Sequence, residues 1–248
     1  MADIVLNVLL GLVASAISAT LGWLAQTGRR RQRLGRIREF FGMPGGAECL
    51  LVVNRHASAV SSSSVERNDV YALLELAALV KECNARAEIV AHDEVRQGLG
   101  RKAEFCVGGP GSNRRTAAHL ASWLPGISFA DWTGPGSELA ITVGDHDYRH
   151  TSGTPERPGG QTYALLARLH EGGDSPVFLI AGQTAVSNHA AVRFLTANHR
   201  RLARQYGRNG TFALVLSVVN PGAYGPDVVE VAADVTAEAT ARPAAVAA

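Results

Sequence analysis

The chain lacks most of the signatures that would name a chemistry. Its three cysteines, Cys49, Cys83 and Cys106, form no CxxC pair, and each sits among apolar neighbours. An odd number without metal-ligand spacing excludes a disulfide framework and a zinc ribbon, and predicts reduced, buried thiols. No Gly-Lys-Ser/Thr follows the glycine-rich bend at 108–111, so a Walker A loop is absent, and there is no Gly-x-Ser-x-Gly nucleophile elbow. An excess of positive charge is also missing from the bulk of the chain. The net charge is +2, but residues 1–39 hold six of the 24 basic and two of the 22 acidic residues, leaving 18 against 20. A slightly acidic remainder argues against binding a nucleic-acid backbone, and no nucleic-acid partner is expected.

What is present begins at once. Residues 4–25, IVLNVLLGLVASAISATLGWLA, run for 22 positions without a charge. At about 1.5 Å per residue that length spans a hydrocarbon core of roughly 30 Å. The start, MAD, has no positive n-region and the run exceeds the usual h-region, so a transmembrane helix is expected rather than a cleaved signal. Trp23 falls at the interface position, and Arg29, Arg30, Arg31, Arg33, Arg36 and Arg38 follow. Positive flanks stay cytoplasmic, which predicts a single-pass protein of the inner (plasma) membrane with its C-terminal domain in the cytoplasm. Small residues recur at four-residue spacing (Gly11, Ser15, Ala19), so a homo-oligomer through this helix is a further expectation.

Residues 1–28 are thus assigned to the membrane helix, 29–46 to a basic juxtamembrane linker, 47–235 to an α/β domain and 236–248 to a disordered tail. Short β-branched runs predict strands at 48–53, 87–92, 103–108, 176–182, 211–219 and 228–235, with further extended segments at 126–131, 138–144 and 162–171. Helical periodicity predicts helices over 70–83, from 113 to 124, and after 182 to Tyr206. Residues 134–160, rich in Gly, Pro, Ser and Thr, read as a loop or lid. The alternation implies a mainly parallel sheet flanked by helices, a three-layer arrangement of the Rossmann or flavodoxin type.

Two stretches repeat one shape: FCVGGPGSNRRTAAHL and VFLIAGQTAVSNHAAVRFL. Each is a buried strand, a small-residue bend and a Ser-Asn pair at a helix start. Free N–H groups and the helix dipole make such a corner an anion site, and in a parallel sheet both corners share the carboxyl edge. Gly108, Gly109, Gly111, Ser112, Asn113 and Arg114 at the first corner, Gly182, Gln183, Thr184, Ser187 and Asn188 at the second, and Asn54 after the first strand are the candidate ligand-binding residues. The expected ligand class is a small anionic, nucleotide-like molecule; no cofactor is identified, because Gly109-x-Gly111-x-x-Arg114 puts arginine where a dinucleotide fingerprint needs a third small residue. Asp131, 20 residues past Gly111, keeps a ribose contact open. The plain alternative is that both bends only cap helices.

No catalytic residue is assigned. GDHDYRH (144–150) gathers Asp145, His146, Asp147 and His150, but in a loop such residues are ordinarily solvated, and no metal is assigned. His119, His189, Arg55, His56 and Asn220 lie near the expected edge, and Glu66 and Asp69 are placed to cap the helix over 70–83. The pattern GGPxSN, then TYALLARL, then FLIAGQTAVSNHAAVRFL, over residues 48–232, resembles a poorly characterised group of bacterial membrane-tethered α/β proteins, departing from it at Thr162 and at Ser187-Asn188. The resemblance implies an α/β fold, membrane tethering and a sensor or effector role in signalling or defence. A nucleotide-directed hydrolase or glycosidase using the same cleft and a membrane scaffold without ligand are the alternatives.

Overall fold

In a computed structural model, residues 1–54, 64–96, 98, 100–131, 133, 134, 136–153, 159–170 and 175–241 are described. Helix α1 (Ala2–Phe41) leads into β1 (Glu48–Val53), α2 (Arg67–Glu82), β2 (Arg86–Ala91), β3 (Ala103–Val107) and α3 (Arg114–Trp123). Then come β4 (Ile127–Phe129), β5 (Ala140–Val143), β6 (His146–Arg149), β7 (Gln161–Leu169), β8 (Val177–Gly182) and α4 (Ala185–Tyr206). The chain closes with β9 (Phe212–Val219), α5 (Pro221–Tyr224), β10 (Val229–Asp234) and α6 (Thr236–Thr240).

Seven strands form one sheet in the order β10-β9-β7-β8-β3-β1-β2, and β4-β5-β6 form a small second sheet. Pairings β2–β1, β1–β3 and β3–β8 are parallel, whereas β8–β7, β7–β9 and β9–β10 are antiparallel. The sheet is therefore mixed, and the mainly parallel arrangement holds in part: parallel pairing is confined to β2, β1, β3 and β8, while β9 shares their direction across the reversed β7. The physical reason lies in the connections: seven residues join β7 to β8, too few for the crossover that a parallel pair requires.

Side chains alternate across the sheet into two apolar layers. Cys49, Leu51, Phe105, Phe178, Ile180 and Leu214 face α2, α4 and the end of α1. Leu50, Val52, Cys106, Leu179 and Val215 face α3, the small sheet and α6. The central strands are buried on both faces, which is why they read as unbroken apolar runs. Cys49, Cys83 and Cys106 are buried free thiols, as the sequence predicts.

Helix α1 is long and apolar enough over its candidate span to cross a membrane. Leu10, Leu12, Ile17, Leu21, Trp23 and Leu24 are exposed, so the domain covers none of them. The hydroxyls of Ser15 and Thr20 donate to the carbonyls of Gly11 and Ala16 one turn back, at 2.8 Å each. That satisfies them within the helix, as a hydrocarbon setting demands.

The expected linker is not a linker. The helix continues unbroken through the arginines and inserts Ile37, Phe40 and Phe41, followed by Met43, into the core. Gly42 caps its end, donating to the carbonyls of Arg38 and Glu39. The tail also departs from expectation: 236–240 is helix α6, with Ala239 buried and its carbonyl accepting from Gly126 N–H at 3.0 Å. Residues 242–248 lie outside the described residues.

Arg168, on β7, is fully buried beside the α1 junction. Its guanidinium lies 4.7 Å from the Phe40 ring centroid and 5.3 Å from that of Phe212. It donates from Nη2 to Gly207 O and from Nε to Gly210 O, each at 2.8 Å. Burial lowers its pKa to about 10, which still leaves it charged at neutral pH. Arg168→Ala would strand two carbonyls and open a cavity between two rings, an expected loss of about 3–5 kcal/mol. Arg168→Met, which refills the volume, should lose markedly less. Urea unfolding of the two variants measures the difference.

Candidate functional site

Strands β3 and β8 are hydrogen-bonded neighbours, with Val107 opposite Ile180, and both run to the same edge. The β3–α3 and β8–α4 bends therefore leave the sheet side by side at its carboxyl rim. There they border a cleft of about 530 Å³. Its floor is Gly109, Gly111, Gly182 and Gln183, one wall is α3 through Ala117, Leu120 and Ala121, and the other is Ile127, Phe129, Asp131 and Leu139. Both expected corners meet in one place, but the walls are more apolar than an anion cradle.

Glycine is required where the bends crowd. Gly108 has φ +107°, and a Cβ there would come within 2.6 Å of Asn54 Cβ. A Cβ on Gly182 would meet Ser187 Oγ at 2.4 Å and the Asn188 nitrogen at 2.7 Å. Gly111 differs: nothing lies within 4 Å of a Cβ built on it.

The polar groups of the corners are largely spent on one another. Asn113 Oδ1 accepts from the N–H groups of Arg115 and Thr116, and its Nδ2 donates to Val107 O. Ser112 and Asn113 N–H donate to Gly109 O, and Arg114 N–H donates to His92 Nδ1 at 3.3 Å. At the second corner Thr184 and Ser187 form a reciprocal capping box, and Asn188 Oδ1 accepts from Gly182 N–H at 2.6 Å. Gln183 is a tether: its Oε1 accepts from Tyr163 N–H, and its Nε2 donates to the carbonyls of Leu139 and Tyr148, tying the small sheet to the large one. Asn113, Thr184, Ser187, Asn188 and Gln183 thus hold the bends in shape through their side chains. The N–H groups of Gly109 and Gly111 have no partner among the described residues. The exposed Arg114 side chain is the cation of the first corner, because Arg115 is committed elsewhere.

Asn54 does not line the cleft. Its Nδ2 donates to Asp69 Oδ2 at 2.8 Å, while Asn188 Nδ2 donates to Asp69 Oδ1 at 2.7 Å. Buried Asp69 therefore joins the end of β1, the start of α2 and the start of α4. The helix cap itself is Glu66, which accepts from Asn68 N–H. Asn54 Oδ1 is buried without a partner among the described residues. Asp69 was legible only as a possible cap; its central place depends on a contact 119 residues away in sequence. Arg55 and His56 lie outside the described residues.

A second cluster, whose members share no local pattern in the sequence, lies under α3. Glu104, within buried β3, takes two hydrogen bonds from Arg115 at 2.8 Å, one from Cys106 Sγ at 3.1 Å, and pairs with His119 Nε2 at 3.0 Å. Burial would raise its pKa, but these bonds outweigh it and bring the value to about 2. Burial pushes the Cys106 thiol well above its ordinary value, against a nucleophilic role. Donor atoms of Glu104, Cys106 and His119 lie within 4.8 Å of one another. The bidentate Arg115 already supplies the cation, and both carboxylate oxygens are occupied, so the set behaves as a structural ion pair.

The remaining candidates do not gather at the cleft. His189 pairs with Glu75 at 3.1 Å beside the Tyr71 ring. The segment read as part of a loop is the β5–β6 hairpin, in which Asp147 accepts from Thr142 and Arg149 and His150 follows β6. Among the described residues lining the cleft, Asp131 is the only titratable side chain. Compared with known proteins, the chain matches no family model and no curated protein.

Proposed function

We propose that the protein is a membrane-anchored ligand-binding module, with α1 as the anchor and the cleft between the two bends as the site of a small nucleotide-like molecule. The cleft carries the reading. It lies where the parallel strands end, the usual ligand position in α/β sheets, and its volume suits a mononucleotide. Phe129, Leu120 and Ile127 offer an apolar slot for a base, and Asp131 an acceptor for sugar hydroxyls. The amides of Gly109 and Gly111 with Arg114 offer donors for one phosphate. Because most corner amides are already paired, the anionic part contributes less than the ring.

Among the described residues Asp131 is the only titratable group lining the cleft, and no paired acid and base of the kind a hydrolase uses is found among them. A sensor or effector role, in keeping with the sequence resemblance, fits it better. The exposed apolar span and the arginines after it favour a plasma-membrane protein with the domain in the cytoplasm, and helix association through Gly11, Ser15 and Ala19 would couple ligand binding to oligomer state. The cleft opens at the carboxyl rim, whereas α1 docks by Pro176 at the amino end of β8, so the site faces away from the anchor.

Thermal-shift screening against nucleoside mono-, di- and cyclic phosphates tests the reading. A ligand at 100 times its Kd should stabilise the fold by about 2.7 kcal/mol. Gly111→Val should leave the unliganded melting temperature nearly unchanged, since its side chain meets open space, and should abolish the shift. No shift with any nucleotide rejects the ligand class. A shift that survives Gly111→Val rejects the cleft.

A further inference from the structure

The fold brings together two arginine groups that the sequence separates by some 160 residues. The first is the collar of Arg29, Arg30, Arg31, Arg33 and Arg36 on α1, all exposed. The second is Arg200, Arg201 and Arg204 in the last turns of α4, also exposed, with Arg208 just beyond. The α4 end lies against the α1 end: the His199 ring is 5.8 Å from that of Phe41 and 6.3 Å from that of Phe40, and Arg208 pairs with Glu39. At 3.6 residues per turn, Arg200, Arg201 and Arg204 fall within about 100° of arc on the solvent side of α4. Apart from Arg208, none of these arginines has a carboxylate partner among the described residues; Arg201 lies over the Phe194 ring.

We propose that this composite basic face, α1 collar plus α4 end, docks on the head groups of anionic phospholipids and fixes the domain against the leaflet into which α1 inserts. The inference rests on the anchor reading of α1. Three points favour lipid as the occupant. The face is continuous with the exposed apolar span. Its sign is opposite to that of the cytoplasmic leaflet. And α1 continues without a break into the core, so the domain cannot swing its α4 end far from the surface. The contact is one of charges near a surface, and 0.5 M salt should weaken it severalfold.

The test uses the full chain in detergent with equimolar phosphatidylglycerol and phosphatidylcholine, counting retained lipids by native mass spectrometry. A preference for phosphatidylglycerol of about tenfold or more is expected. R200Q/R201Q/R204Q, all exposed and remote from the cleft, should cut that preference severalfold with only a small change in melting temperature, from the lost Arg201–Phe194 contact. Full preference in this variant overturns the composite face and leaves the α1 collar alone. Equal retention of both lipids overturns the inference while sparing the anchor; retention of neither overturns the anchor itself. Duplex DNA or a second copy of the chain competing away the phosphatidylglycerol would assign the face to that occupant instead.

Discussion

Asp69→Ala should be among the most damaging single substitutions in the domain, with an expected loss of about 3–5 kcal/mol in urea unfolding. Both carboxylate oxygens of this buried residue accept from buried amides, Asn54 on one side and Asn188 on the other. Alanine removes the acceptor and leaves two Nδ2 groups in a space closed to water. Asp69→Asn keeps one carbonyl acceptor and should lose roughly half as much. The decisive comparison is the triple variant Asn54→Ala, Asp69→Ala, Asn188→Ala. Removing both amides together with the carboxylate relieves the donors that Asp69→Ala strands, so the triple should lie well short of the sum of the three single losses. Strict additivity would mean that the three residues act separately. Because Asn188 also holds Gly182 N–H, Asp69→Ala should weaken the proposed nucleotide binding at the cleft more than its distance from Gly111 implies.

How far the sequence foretold this arrangement depends on the kind of information each element carries. Apolar period and glycine placement marked the central strands, α2, α4 and both bends, because burial on two faces leaves an unbroken run. Strand direction is not written in hydrophobicity, so β7 and β10, which run against the other five strands, read like the parallel strands. The short connection at 170–176 carried the missing signal, since it cannot hold a crossover. Among the arginines of 29–38 and just after them, Ile37, Phe40 and Phe41 recur at three- and four-residue spacing, which marks a helical face that docks.

The site divides along the same line. That two bends share a rim follows from neighbouring parallel strands, and the residues at both were identifiable from Gly, Ser and Asn alone. Whether their donors remain free depends on which side chain caps which amide. Asn113, Thr184 and Asn188 could equally have bound a ligand or, as they do, their own backbone. Long-range polar partners such as Asp69 with Asn188 have no local pattern at all, and Glu104 is flagged only by being a charge inside a buried strand.

That last residue gives the clearest dependence on pH. Glu104 has a folded pKa of about 2 against an unfolded value of 4.5. The folded state therefore binds fewer protons than the unfolded state in that interval. The stabilisation is complete above about pH 4.5 and is lost progressively as the pH falls toward 2, amounting to about 3 kcal/mol across the window. Glu104→Gln cannot ionise, so it should be less stable at pH 7, where Arg115 loses its carboxylate, and nearly level with the natural chain at pH 2. Its unfolding free energy should have a slope between pH 4.5 and 2 smaller by up to one proton. Other carboxylates, Asp234 among them, titrate in the same region, but they are common to both proteins and cancel in the difference. Identical acid slopes in the two proteins would show that the Glu104–Arg115 pair contributes nothing ionic to stability, and α3 would then be held by its apolar face at Leu120 and by the Asn113 cap.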